Sequence, residues 1–193
     1  MKVLSFDVGV KNLAYCLLDY DAATPLVDGA AFPDSWRDRA AVVDWQVVVA
    51  TAAKRPSVAE TTDGVYARLD EIHEAHGLPD IVLIESQPCM RNPTMKSVQM
   101  MLYCYYVMRA RLSASPSVPG PPCRVSFVNA QLKLTGLCAA KDYRARKRAS
   151  VDAAAAWLAD RSLVSQALAT KKKDDLADSL LQALQWLRRE HKD

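Results

Sequence analysis

The sequence predicts an α/β fold in which a mixed five-stranded sheet, three antiparallel strands followed by two parallel ones, is flanked by helices. Three observations carry this. The chain has 193 residues, 50% of them apolar and 24% charged, which suits one compact domain over residues 1–193 with a full core. Its apolar runs follow the order strand, strand, strand, helix, strand, helix, strand, helices, the pattern of an α/β architecture. No internal repeat interrupts that order.

Lys2 to Val8 (KVLSFDV) and Leu13 to Asp19 (LAYCLLD) are short apolar or β-branched runs. The four residues between them, Gly9 to Asn12, mark a hairpin. Residues 20–40 read as a polar loop, and Ala41 to Thr51 (AVVDWQVVVAT) as a valine-rich third strand. Ser57 to His76 is a helix, with Val58, Val65, Leu69 and Ile72 on one face and Gly77 as its stop. Ile81 to Ile84 is a buried-strand run that leads into Glu85. Thr94 to Leu112 is helical in length and so apolar that burial on all sides is expected. The proline-rich residues 113–123 form a surface loop rather than a domain boundary, because the strand after them, Val125 to Asn129, is too short to start a second sheet. Helices over Tyr143 to Asp160 and Lys173 to His191 complete the chain.

Composition narrows the class. Six glycines and ten prolines exclude collagen-like and low-complexity chains, and no apolar stretch reaches the ~20 residues of a membrane helix. Cys16, Cys89, Cys104, Cys123 and Cys138 are odd in number and contain no C-x-x-C pair, so neither a disulfide framework nor a zinc knuckle is indicated. With no signal-peptide pattern at the N-terminus, an intracellular protein without a membrane partner is expected. Charge is divided along the chain: residues 1–90 hold 7 Lys+Arg against 14 Asp+Glu, and residues 91–193 hold 18 against 8. Residues 131–173 carry ten basic side chains and three acidic ones, which fits a polyanionic partner.

Four carboxylates fall where an open α/β sheet brings side chains together. Asp7 lies in the first strand, Glu85 ends the fourth, and Asp175 and Asp178 sit on the last helix. Three residues apart, the last two share one helix face, about 60° from each other. An unpaired carboxylate in a central strand costs several kcal/mol, and a cation is the simplest compensation. Hard oxygens without histidine or thiolate select Mg²⁺ or Mn²⁺.

With FDVGVKNLAYCLLD, IESQP, QLKLTG and KKDDLADSLLQAL in this order, the chain resembles the RuvC-type Holliday-junction resolvases of the ribonuclease H superfamily, in particular their poxvirus branch. The resemblance implies a ribonuclease H-like fold and a structure-selective, Mg-dependent endonuclease. Such an enzyme resolves four-way DNA junctions by paired phosphodiester hydrolysis leaving 5′-phosphates, in recombination, repair or viral concatemer resolution. It makes Asp7, Glu85, Asp175 and Asp178 the metal-binding and catalytic carboxylates and Lys133 or Lys147 the catalytic lysine. Two Mg²⁺ (or Mn²⁺) ions per site would then be bridged by Asp7, with Glu85 on one and Asp175 and Asp178 on the other. Either lysine would offset transition-state charge or contact a backbone phosphate. Asp174 falls outside the D-L-A-D spacing and reads as an N-cap or outer acid. The alternatives are a non-catalytic DNA-binding protein on the same fold and another ribonuclease H-like nuclease. An actin-like or sugar-kinase ATPase would need a second glycine-rich phosphate loop, so no nucleotide cofactor is expected.

The expected partner is branched double-stranded DNA, met by Arg91, Asn92, Lys141, Arg144, Arg146, Arg148, Lys171, Lys172 and Lys173. A homodimer is expected through the helix 94–112, because Met95, Met101, Tyr105 and Met108 leave a second side of it apolar. Tyr103, Tyr105 and Tyr106 fit that interface better than base stacking. His73 and His76, flanked by Glu71 and Glu74, read as a solvated face. Residues 20–56 carry no motif. The expected location is the host cytoplasm if the chain is viral, and otherwise a nucleoid or organelle.

Overall fold

The computed structural model describes residues 1–25, 33–88, 90, 92–114, 123–134, 142–158 and 169–191. Five strands, β1 (Lys2–Asp7), β2 (Asn12–Tyr20), β3 (Ala40–Val49), β4 (Ile81–Glu85) and β5 (Arg124–Val128), form one sheet in the order β3-β2-β1-β4-β5. The first three are antiparallel, and β4 and β5 run parallel to β1, as the order of runs predicts. The β1–β2 turn closes tightly: a Cβ on Gly9 would stand 2.2 Å from the Asn12 carbonyl oxygen, so no larger residue fits there without moving the hairpin.

Alternation along the strands divides the core in two. Leu4, Phe6, Tyr15, Val82 and Ile84 face the helices α1 (Val58–His76) and α2 (Pro93–Ser113). Val3, Cys16, Leu83 and Val128 face α3 (Tyr143–Trp157) and α4 (Lys173–Glu190). Local signals set the helix ends. Ser57 and Glu60 form a capping box on α1, and Gly77, at φ 76°, ends it where a side chain would be strained. Pro93 opens α2 behind the cap Asn92, whose Oδ1 accepts from Met95 N at 3.1 Å.

Two expectations about helix burial are corrected. The helix 94–112 is not buried all round: Met100 is 39% and Met108 52% exposed, and Cys104 also faces outward. α2 lies over β4 and β5 at the edge of the sheet with α1 on one flank, so its outer face has no covering element among the described residues. Met101 and Tyr105 are not on that outer face either. Tyr105 donates to Asp70 of α1 (2.7 Å), and Met101 meets Thr62. The helix that does sink into the core is α4, where Leu176, Ala177 and every residue from Ser179 to Leu187 are buried between the sheet and α3.

The segment without a motif closes the α3–α4 side. Trp36 is buried and stacks on Tyr20 at 5.7 Å between ring centres, while Arg37 donates to the last carbonyls of α3, Ala156 O (2.9 Å) and Trp157 O (3.2 Å). Residues 26–32, 115–122 and 159–160 lie outside the described residues. His76 is not solvated as expected. Its Nε2 sits 2.8 Å from Oδ2 of Asp44 on β3. No described helix is long and apolar enough to cross a membrane.

Candidate active site

Strands β1, β4 and β5 end on the same edge of the sheet, the place where open α/β folds collect their polar residues. Asp7 is the last residue of β1 and Glu85 the last of β4. Beyond β5 the chain enters a short 3₁₀ turn, Ala130–Leu134, which carries Lys133 back over that edge. α4 supplies Asp178 from across the sheet. The Lys133 ammonium lies 2.5 Å from Asp7 Oδ1, 3.2 Å from Asp178 Oδ2 and 3.3 Å from Glu85 Oε1. The lysine side chain is only 5% exposed, against 14% for Asp7, 13% for Glu85 and 30% for Asp178.

One positive charge among three carboxylates leaves the group formally at −2. Burial pushes the Asp7 carboxyl well above its ordinary value; Lys133 pulls it down, and Glu85 and Asp178 push it up again. For Lys133 burial works against the charge, but Asp7, Asp178 and Glu85 together outweigh it and hold the ammonium charged far above neutrality. Among the described residues no three acidic, histidine or cysteine side chains form a ready metal cage, since these carboxylates surround an ammonium. Donor type and residual charge nonetheless fit a hard divalent cation: all the ligand atoms are carboxylate oxygens, and the uncompensated charge equals that of one Mg²⁺.

Amide side chains fix the carboxylates. Gln87 Nε2 donates to Glu85 Oε2 (3.0 Å), and its own backbone N–H donates to Gln99 Oε1 (2.8 Å), which also accepts from Lys96 Nζ (3.1 Å). On the other side of the sheet Gln182 Nε2 donates to Ser5 Oγ and to the Phe6 carbonyl. Trp45 Nε1 holds the Leu176 carbonyl at 2.9 Å, in the turn of α4 between Asp175 and Asp178.

Asp175 does not join the cluster on Lys133; its Oδ2 pairs with Lys172 Nζ at 3.1 Å. Lys147, the other candidate lysine, pairs with Asp174 and so binds α3 to the first turn of α4. That pairing corrects the N-cap reading of Asp174, because α4 begins at Lys173 and its cap position is Lys172, which makes no side-chain cap. Arg144, Arg146 and Arg148 are exposed on α3, with Arg144 and Arg148 one turn apart on the same side. Lys171, Lys172 and Lys173 are exposed at the start of α4. Asn92 is engaged as the α2 cap, and Arg91 and Lys141 lie outside the described residues. Gln87, Gln99 and Gln182 are not among the candidate residues that the sequence motifs single out. Gln99 and Gln182 carry a readable signal, a lone amide inside an apolar run (VQMML and LLQAL), whereas Gln87, between Ser86 and Pro88, carries none.

An antiparallel three-stranded unit extended by two parallel strands, with acids on β1, β4 and the last helix, defines the RuvC-like ribonuclease H fold. Solved structures of that fold match nearly the whole chain. They include the fowlpox virus resolvase in complex with its substrate Holliday junction DNA (16% identity, 98% of this chain and 99% of that one, TM-score 0.64). The yeast mitochondrial Holliday junction resolvase Ydc2 matches at 18% identity over 96% of this chain and 78% of that one (TM-score 0.67). Thermus thermophilus RuvC matches at 18% over 98% and 96% (TM-score 0.62). The chain belongs to the poxvirus A22 protein family, which it matches over residues 1–190. No curated protein sequence matches it.

Proposed function

We propose that this protein is a DNA endonuclease that resolves four-way junctions by paired, divalent-metal-dependent hydrolysis of phosphodiester bonds. The observation that carries the reading is the convergence of Asp7, Glu85 and Asp178 on buried Lys133 at the strand ends, in a member of the poxvirus A22 family. Buried, mutually perturbing titratable groups of this kind are characteristic of functional sites.

Asp7, Glu85 and Asp178, with Asp175 one turn away, are the residues that would hold Mg²⁺ or Mn²⁺. When bound, these ions supply activation of a water nucleophile and stabilisation of the leaving oxygen, two per site in the reading favoured here. The protein's own part is placement and charge. Lys133 Nζ keeps three carboxylates within reach of one centre and offsets the negative charge that develops on the phosphate. Lys147 anchors α3 to α4, and the exposed Arg144 and Arg148, one turn apart on α3, would take backbone phosphates. Junction affinity should therefore fall steeply with salt, and Arg144→Glu with Arg148→Glu should flatten the slope of log affinity against log salt by about 2. An unchanged slope would remove α3 from the DNA path.

Resolution needs cuts in two strands related by near two-fold symmetry, and with one site per chain this calls for a homodimer. Met100, Cys104 and Met108 on the outer face of α2 are the apolar surface available for it. Light scattering at micromolar concentration should give twice the chain mass, and Met100→Glu with Met108→Glu should give a monomer. A monomeric wild type would contradict this. The activity itself is tested with a cruciform extruded from supercoiled plasmid. Paired cutting gives linear product, whereas an unpaired nuclease gives nicked circles.

A further inference from the structure

We infer that Gln182 is a positioning residue: its buried amide ties α4 to the peptide unit that carries Asp7, and so sets the distance between Asp7 and Asp178 at which a divalent cation is held. The inference rests on the metal-dependent reading above. Gln182 lies four residues after Asp178, on the same face of α4, and is wholly buried. Its Nε2 donates to Ser5 Oγ at 3.0 Å and to Phe6 O at 3.2 Å. The Phe6 carbonyl can only accept and belongs to the peptide bond that leads into Asp7, so the amide orientation is fixed and the contact ends one bond from the residue that matters.

Stability does not account for this side chain. Among the described residues Gln182 Oε1 has no hydrogen-bond partner, so the buried amide carries a desolvation cost that an apolar side chain of similar length, such as methionine, would not. What the amide supplies is register. Apolar contacts between α4 and the sheet are non-directional and leave small slides and rotations of the helix nearly equal in energy, whereas two hydrogen bonds to β1 select one of them. Asp7 rides on β1 and Asp178 on α4, so that register is the geometry of the cluster.

The test uses the full chain with Gln182→Met and, separately, Ser5→Ala, which removes one of the two acceptors and keeps the Phe6 contact. Three quantities are read: melting temperature in EDTA, Mn²⁺ affinity of the protein alone by electron paramagnetic resonance, and single-turnover cleavage of a four-way junction against Mg²⁺ concentration. Gln182→Met should melt at or above the wild-type temperature, bind Mn²⁺ ~10–100-fold more weakly, and need correspondingly more Mg²⁺, with Ser5→Ala between the two. Wild-type Mn²⁺ affinity in Gln182→Met overturns the inference, whether or not its melting temperature falls. Should Gln182→Met fail to fold, Ser5→Ala decides alone: weakened Mn²⁺ binding supports the inference and unchanged binding overturns it. A wild type that cuts no junction refutes the proposed function instead, and the Mn²⁺ measurement remains valid without it.

Discussion

Asp7→Asn, Glu85→Gln, Asp175→Asn and Asp178→Asn are each expected to abolish junction cleavage, by ~10³-fold or more, while junction affinity stays within a factor of two. A loss of that size corresponds to about 4 kcal/mol of barrier. An amide keeps the shape of the side chain but gives up the charge that holds a divalent cation, and the basic surface of α3 is untouched. Asp7→Asn should also stabilise the metal-free protein at pH 8. The folded-state pKa of Asp7 is raised by burial and by Glu85 and Asp178, so the folded state binds the proton more tightly than the unfolded chain. Wild-type stability therefore falls as pH rises from the ordinary carboxylate range through the raised value, and the amide removes that fall. Single-turnover kinetics together with melts in EDTA at pH 5 and pH 8 check both parts. Any variant that cuts at near wild-type rate removes its residue from the metal set. Asp175 is the sharpest case, since its visible partner is Lys172 rather than Lys133.

Lys133→Met is expected to lower cleavage ~10²–10³-fold, the usual consequence of deleting one preorganised cation at a reacting phosphate. It should also destabilise the metal-free protein, more at pH 8 than at pH 5. The lysine's own raised pKa contributes stability in full below its ordinary value of 10.5 and loses it only as pH rises through the higher folded value, so between pH 5 and pH 8 that contribution is constant. The pH dependence of the variant comes from Asp7, which loses the Lys133 charge that pulled its raised pKa down and faces Glu85 and Asp178 without it as it ionises. Added Mg²⁺ should restore part of the lost stability. Lys147→Met, which leaves the cluster and disturbs only the α3–α4 tie, should cost far less activity. Equal losses in the two lysine variants would contradict the division of roles between them.

The strands, their order and their mixed direction were legible because turn residues and β-branched runs are local signals, and the valine-rich third strand and the Gly77 stop are good examples. Burial was read less well. Met-rich α2 looked like a core helix, but an edge position over β4 and β5 exposes Met100 and Met108, while α4, with more charge in its sequence, runs through the middle. Composition cannot report how many neighbours a helix has. At the site, spacing placed Asp175 and Asp178 on one face, yet only the fold reveals that a single turn after β5 puts Lys133 among three acids and leaves Lys147 with Asp174. The role of residues 33–39 was hidden for the same reason, since Trp36 and Arg37 act on Tyr20 and on the end of α3, more than a hundred residues away in the second case.

Cutting of branched DNA by this carboxylate–lysine cluster is measured as Mg²⁺-dependent cleavage of a mobile four-way junction, a flap, a linear duplex and an RNA·DNA hybrid by the wild-type protein. Paired, symmetry-related nicks with 5′-phosphate ends are expected on the junction, with little cutting of the other three. Equal cutting of the hybrid or the duplex would contradict a junction-resolving role, and so would tight junction binding with no cleavage in either Mg²⁺ or Mn²⁺.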